Sequence, residues 1–185
     1  MTAIRSIASA ASTLCIALAC TTAQAQSVAF DLDALTVAPG ESFSLNLMAS
    51  GFTGAVLGGG FGLNFDPGVL RLDSVAIPAG WEFARNGGLI DNASGTLSDA
   101  YFATNSPVAG DVKLATLTFT ALNVGQSLVT PLSNTLQPFV EDGALEATLP
   151  AYKFTTVTVA VPEPGAIALM LAGGLALARL RSRRS

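Results

Sequence analysis

Two stretches, SFSLNLMAS and LATLTFTA, alternate apolar and polar residues one by one. Phe43, Leu45 and Leu47 interleave with Ser42, Ser44 and Asn46, while Ala115, Leu117, Phe119 and Ala121 interleave with Thr116, Thr118 and Thr120. A period of two places every second side chain on one face of an extended strand, so each stretch has a buried face and a wet face. The alternation recurs in FGLNF (Phe61, Leu63, Phe65) and TTVTVAV (Val157, Val159, Val161). Turn signals separate the runs at Ala38-Pro39-Gly40, Asp66-Pro67-Gly68, Asn86-Gly87-Gly88 and Glu141-Asp142-Gly143, where Gly and Asn accept positive φ and Pro presets the second turn position. Between Gln26 and Val161 no run keeps apolar residues at helical spacing over two or three turns. The predicted fold is all-β, two packed antiparallel sheets forming a sandwich or jelly roll.

The N-terminus constrains where such a domain resides. Arg5, an apolar stretch from Leu14 to Cys20, and Ala23-Gln24-Ala25 make up a secretory signal with a small-x-small cleavage site. Cleavage between Ala25 and Gln26 is expected. A lipoprotein signal at Cys20 is the rival, but Ala17 stands where such signals usually carry Leu. Both cysteines, Cys15 and Cys20, fall within the signal, so the mature chain enters an oxidising compartment without a disulfide and must rely on a packed core. From Gln26 to Val161 twelve Asp and Glu face four Lys and Arg, a net charge of −8 that disfavours nucleic acid and anionic lipid.

Little in the inventory supports catalysis. The chain has no histidine, and the mature part has no thiol, which removes the usual general base, the thiol nucleophile and nearly every zinc or copper site. Scattered carboxylates show no spacing that singles out a glycosidase pair. Asp31-x-Asp33, Asp91-Asn92 and Glu141-Asp142 place oxygen ligands at turns where calcium is conceivable, but no EF-hand loop is present and Asx-turns explain the same residues. No cofactor is expected. Aromatic rings that stack on sugars leave Trp81 and Tyr101 as candidate ligand contacts, against a core role for Trp81. The spacing of Trp81 and Phe83 predicts that they share one face of a short strand.

The stretch LGGGFGLNFDPGVLRLDSV goes beyond a generic strand pattern. It resembles the cohesin domain, in which a strand ends in an aromatic residue, Asp-Pro makes a turn, and a V-L-x-L-x-x-V strand follows, here Val69, Leu70, Leu72 and Val75. APGESFSLNL resembles the early cohesin strand, and GDVKLATLTFTALNVGQSLVT the late hairpin, so the likeness spans most of Ser27 to Val161. The resemblance implies a jelly-roll sandwich of about nine strands, related to carbohydrate-binding modules. Asp66 and Pro67 then act as a structural turn. It also implies a dockerin-like partner, yet the two places where type I cohesins carry Asn and Asp on the strand before Asp-Pro are Gly58 and Gly60 here. That departure removes both polar anchors. The run Gly58-Gly59-Gly60 instead predicts a bulge or the close approach of another backbone.

The C-terminus carries Pro162-Glu163-Pro164, thirteen apolar residues from Ala166 to Ala178, and the basic cluster Arg179, Arg181, Arg183 and Arg184. This is shorter than the roughly 20 residues that span a bilayer core. The tripartite pattern closely resembles the PEP-CTERM sorting tail of Gram-negative bacteria. That resemblance implies processing by an exosortase, with the arginines held on the cytoplasmic side, only transient membrane attachment, and release to the cell surface or exopolysaccharide. The expectation is an exported, non-enzymatic binding or matrix protein. A carbohydrate-binding module linked to polysaccharide degradation and a purely structural matrix component are the alternatives.

Overall fold

The computed structural model describes residues 25–161, so the remainder of the signal peptide and the whole sorting tail lie outside the described residues. Among the described residues thirteen strands and no helix follow in order: β1 (Ser27–Phe30), β2 (Ala34–Val37), β3 (Ser42–Ser50), β4 (Val56–Asn64), β5 (Leu70–Ala76), β6 (Ala84–Asn86), β7 (Leu89–Asp91), β8 (Thr96–Val108), β9 (Val112–Ala121), β10 (Gly125–Ser133), β11 (Val140–Glu141), β12 (Ala151–Tyr152) and β13 (Thr155–Val159). Nine of them are four residues or longer, which agrees with the strand number the resemblance implies. The smaller sheet runs β12-β1-β3-β9-β5, and the larger runs β2-β13-β10-β4-β8-β6 with β11 on β4 and β7 on β8.

Two pairs depart from the antiparallel expectation: β1 with β12 and β13 with β2 are parallel. The cause is that both ends of the domain change sheets side by side. The N-terminal strand leaves the smaller sheet at residues 31–33 and continues in the larger as β2, and the C-terminal strand makes the same crossing between β12 and β13. Backbone bonds from Lys153 N to Val28 O (2.9 Å) and from Thr156 N to Asp33 O (3.0 Å) tie the crossings together. Gln26, expected to be the first residue after cleavage, is already part of this seam, since its carbonyl accepts from Ala151 N at 2.8 Å.

The alternating residues fill the space between the sheets. Leu45 and Leu47 of β3, Phe61 and Leu63 of β4, Leu117 and Phe119 of β9, and Val157 and Val159 of β13 are all buried, and their polar neighbours face outward. Phe119 packs edge-on to Phe65 at 5.6 Å and stacks on Phe43 at 5.7 Å. Val161 breaks the expected pattern: β13 ends at Val159, and Val161 beyond it is exposed because no partner strand continues there.

The Asp66-Pro67-Gly68 turn has the structural role expected of it. The Asp66 side chain accepts from Gly68 N at 2.8 Å and its carbonyl from Leu70 N at 2.9 Å, while Asp66 N donates to the Ser127 hydroxyl at 2.9 Å. Gly40, Gly88 and Gly143 take φ of +83°, +84° and +75° in the other three turns. Among the described residues no helix is long and apolar enough to cross a membrane.

Candidate functional site

The central strand of the larger sheet has almost no side chains on its outer face. Phe61, Leu63 and Phe65 point into the core, so the alternate positions Gly58, Gly60 and Gly62 face outward, bounded by the exposed Asn64. The glycines are required by close approach. A Cβ at Gly58 would sit 2.8 Å from Phe102 O, and one at Gly60 would sit 2.7 Å from Gln137 Cβ and 2.9 Å from Ala100 O. On the inner face a Cβ at Gly59 would meet the Phe139 ring at 2.9 Å. The segment between β10 and β11 therefore grips β4 from both sides, with Gln137 above and Phe139 beneath. The pairing of β4 with β8 also slips between Val56 and Gly58 and again between Phe61 and Leu63. The close approach expected of the glycine run is present, whereas the pairing with β8 is unbroken from Gly58 to Phe61 and the slips lie on either side of the run.

Two open grooves flank the contact over Gly60. The first, about 430 Å³, is floored by Gly58 and walled by Leu57, Phe83, Ala103, Asn105 and Val140. Its Phe83 is 68% exposed. The second, about 250 Å³, is lined by Gly62, Ser98, Asp99, Leu132, Asn134 and Leu136. Beside the first groove Glu82 folds over the end of β8, accepting from the Thr104 hydroxyl at 2.6 Å and from Asn105 N at 3.2 Å. Chiefly the Thr104 bond holds the Glu82 carboxyl below the usual carboxylate range.

Several residues singled out in the sequence lie elsewhere. Trp81 is 2% exposed, with its ring 4.5 Å from Phe102 and its indole N–H donating to Lys113 O at 3.3 Å. It belongs to the core and offers no stacking surface. Trp81 and Phe83 do not share a face, because the chain bends at residues 81–83 and β6 begins only at Ala84. Tyr101 is half-buried on the outer side of β8, opposite Gly60 and Asn86, and so stands beside the bare strand.

Three of the carboxylates considered for calcium, Asp31, Asp91 and Glu141, accept hydrogen bonds from within the domain. Asp31 accepts from Asn46 N and Nδ2 at 3.0 and 2.7 Å, and Asp91 from Ala93 N and the Ser94 hydroxyl. Glu141 is buried, its oxygens taking Gln26 Nε2 at 2.9 Å, the Thr148 hydroxyl at 2.6 Å and Gly54 N at 2.6 Å. Among the described residues no three acidic side chains converge as a metal site would need. Asn92, paired with Asp91 in the sequence, instead bonds both backbone groups of Leu72 on the edge strand β5, at 2.9 and 3.0 Å. It satisfies the edge that another strand would otherwise use.

Sequence reasoning did not find Phe83, Val140, Leu132 and Asp99 as neighbours of one face. A signal was present, since glycine at every second position of a strand, Gly58, Gly60 and Gly62, marks a face built of backbone.

The molecule is a two-sheet β-sandwich with a core of aromatic and aliphatic side chains and two shallow grooves over the glycine-rich strand β4. Residues 28–159 match the Cohesin domain family model, and the chain belongs to that family. The seventh ScaB type I cohesin from Pseudobacteroides cellulosolvens superposes with a TM-score of 0.60 at 15% identity, covering 76% of this chain and 95% of its own. A type I cohesin from Clostridium thermocellum, solved in complex with a dockerin, gives 0.59 at 8% identity over 74% and 100%. The sixth cohesin of Acetivibrio cellulolyticus scaffoldin B, also in complex with a dockerin, gives 0.58 at 17% over 74% and 100%. At these identities the likeness is one of fold. No curated protein matches the chain in sequence.

Proposed function

We propose that this chain is an exported, non-catalytic cohesin module that takes a protein partner of dockerin type on the outer face of its larger sheet. The observation that carries this reading is the pair of open grooves on either side of the contact over Gly60, where a partner can bury Phe83, Leu132 and Val140. Apolar side chains in depressions at the centre of a face are where binding energy concentrates. The smaller sheet differs: its outer side is a ladder of hydroxyls bonded to one another, Ser42 to Thr120 and Ser44 to Thr118, each at 3.2 Å. With Gly58 and Gly60 in place of the type I amide and acid, contact has to come from these grooves. Saccharide binding draws less support, because Trp81 is enclosed in the core.

Capture of purified dockerins by the exported protein tests this. Leu132→Asp on the larger sheet is expected to abolish capture, and Thr118→Arg on the smaller sheet to leave it intact. Capture lost with Thr118→Arg alone, or retardation by a polysaccharide gel with no dockerin bound, would overturn the proposal.

The delivery route rests on the chain ends. The export signal before Gln26 and the tail from Pro162 support transit across the inner membrane, exosortase cleavage, and release to the surface or matrix of a Gram-negative cell. A permanent anchor needs only hydrophobicity and flanking charge, whereas a processing signal needs its motif in an extended, proline-stiffened segment open to an enzyme. In a host with an exosortase, Glu163→Ala is expected to accumulate a larger, membrane-bound precursor. Intact C-terminal peptides recovered from surface-localised wild-type protein would return the tail to an anchor.

A further inference from the structure

Glu141 is a buried carboxylate that lines neither groove. It is 5% exposed, and three neutral donors hold it: Gln26 Nε2 at 2.9 Å and the Thr148 hydroxyl at 2.6 Å on Oε1, and Gly54 N at 2.6 Å on Oε2. Among the described residues the one ion pair is Arg71 with Asp73, so no cation there neutralises Glu141. A carboxylate taken out of water is costly unless its bonds are made, and one of these three comes from a residue 115 positions away. That residue, Gln26, is the one expected to begin the exported chain.

A glutamine at a free N-terminus carries a reaction of its own. The α-amine attacks the side-chain carbonyl carbon, Cδ, and closes a five-membered lactam, pyroglutamate. The Cδ–Nε2 bond breaks, and the proton lost by the amine leaves with Nε2 as ammonia. Ring closure needs the amine and Cδ about 3–3.5 Å apart and aligned. In the folded chain the Gln26 carbonyl accepts from Ala151 N at 2.8 Å, and the next residue, Ser27, pairs with Ser50 and Ala151. With the main chain fixed and the amide committed to Glu141, the ring-closing rotamer has to break the Nε2 bond. The bond opposes the chemistry as well as the geometry. A carboxylate accepting from Nε2 raises electron density in the amide, which makes Cδ a poorer electrophile, and it has no proton for the departing nitrogen.

We propose that Glu141 guards the mature N-terminus, holding the Gln26 amide so that the exported chain keeps an open glutamine rather than pyroglutamate. This rests on cleavage between Ala25 and Gln26 and is independent of the docking face. The same bond fastens the first residue of the mature chain to the segment 139–148, which is closed on itself by Thr148 N to Phe139 O at 2.8 Å. Loss of Nε2 as ammonia takes one of three donors from a buried carboxylate. Cyclisation then proceeds only through local opening of the N-terminal strand, and its rate falls in proportion to the rarity of that opening.

The test is intact-mass spectrometry of the full chain after export and signal cleavage, followed over days in warm neutral buffer for the loss of one ammonia. A synthetic peptide of the sequence from Gln26 to Asp33 gives the unprotected rate. Folded wild type is expected to cyclise at least about tenfold more slowly than the peptide, and denaturant should bring the two rates together. Glu141→Ala should restore most of the peptide rate, and so should the milder Glu141→Asp, which keeps the charge but draws it back by one methylene. Ser27→Ala removes the neighbouring 3.0 Å bond to the Ser50 hydroxyl while leaving Glu141 in place, and should stay as slow as wild type. Wild type cyclising at the peptide rate overturns the guard and leaves the cleavage site standing. A folded Glu141→Asp protein as slow as wild type, or Ser27→Ala as fast as the peptide, assigns the protection to strand pairing and overturns the role of Glu141. A mature chain beginning at any residue other than Gln26 overturns the cleavage site and the guard with it.

Discussion

Phe119→Asp is expected to leave no folded domain, whereas Thr118→Asp one residue away should melt within about 1–2 kcal/mol of wild type. Phe119 is fully buried at the centre of the smaller sheet's inner face, between the rings of Phe43 and Phe65. Removing such a ring costs about 3–5 kcal/mol, and an unpaired carboxylate in its place adds several more. Together these match the whole stability of a typical domain, about 5–15 kcal/mol. Thr118 points to the outer side, where its hydroxyl bonds Ser44 and a charge stays in water. Thermal unfolding followed by circular dichroism decides the matter. Equal midpoints for the two variants would mean that the register of β9 is wrong.

That contrast was legible in the sequence because β3 and β9 are long, pair along nearly their whole length, and sit on one core for many residues. Under those conditions parity alone assigns a face. The Asp66 turn and the glycine turns were legible for a similar reason: their chemistry is local. Parity failed where the backbone was not continuously extended. Trp81 and Phe83 were placed on one face by their spacing, but the bend between them sends the indole into the core and leaves the phenyl ring in solvent.

The candidate face was less legible still. Leu57, Phe83, Asn105 and Val140 come from four separate parts of the chain and meet only because β11 returns to the edge of β4 while β6 pairs with the far side of β8. No local pattern encodes that meeting. The parallel seam of the two chain ends was hidden for the same reason, since it depends on two strands changing sheets together. The glycines were the one local trace of the site, and their meaning turned on what packs against them.

Those glycines carry the second large effect. Restoring the type I pair, with Gly58→Asn and Gly60→Asp together, is expected to destabilise the domain without creating a type I dockerin site. At Gly58 the new Cβ would lie 2.8 Å from Phe102 O and 3.2 Å from Ala103 Cα, and at Gly60 it would lie 2.9 Å from Ala100 O. These neighbours are the backbone of β8, so relief requires moving a paired strand rather than turning a side chain. Overpacking of this kind costs about 1–3 kcal/mol per site, and glycine at either position can be replaced only if β8 and the segment over β4 move apart. Gly80→Ala provides the control, since its Cβ would meet nothing within 4 Å. The double variant should therefore lower the melting temperature by several degrees or more while Gly80→Ala leaves it unchanged. A double variant that melts as wild type and gains type I dockerin affinity would show that Gln137 and the β8 backbone do not hold β4 as closely as this packing requires.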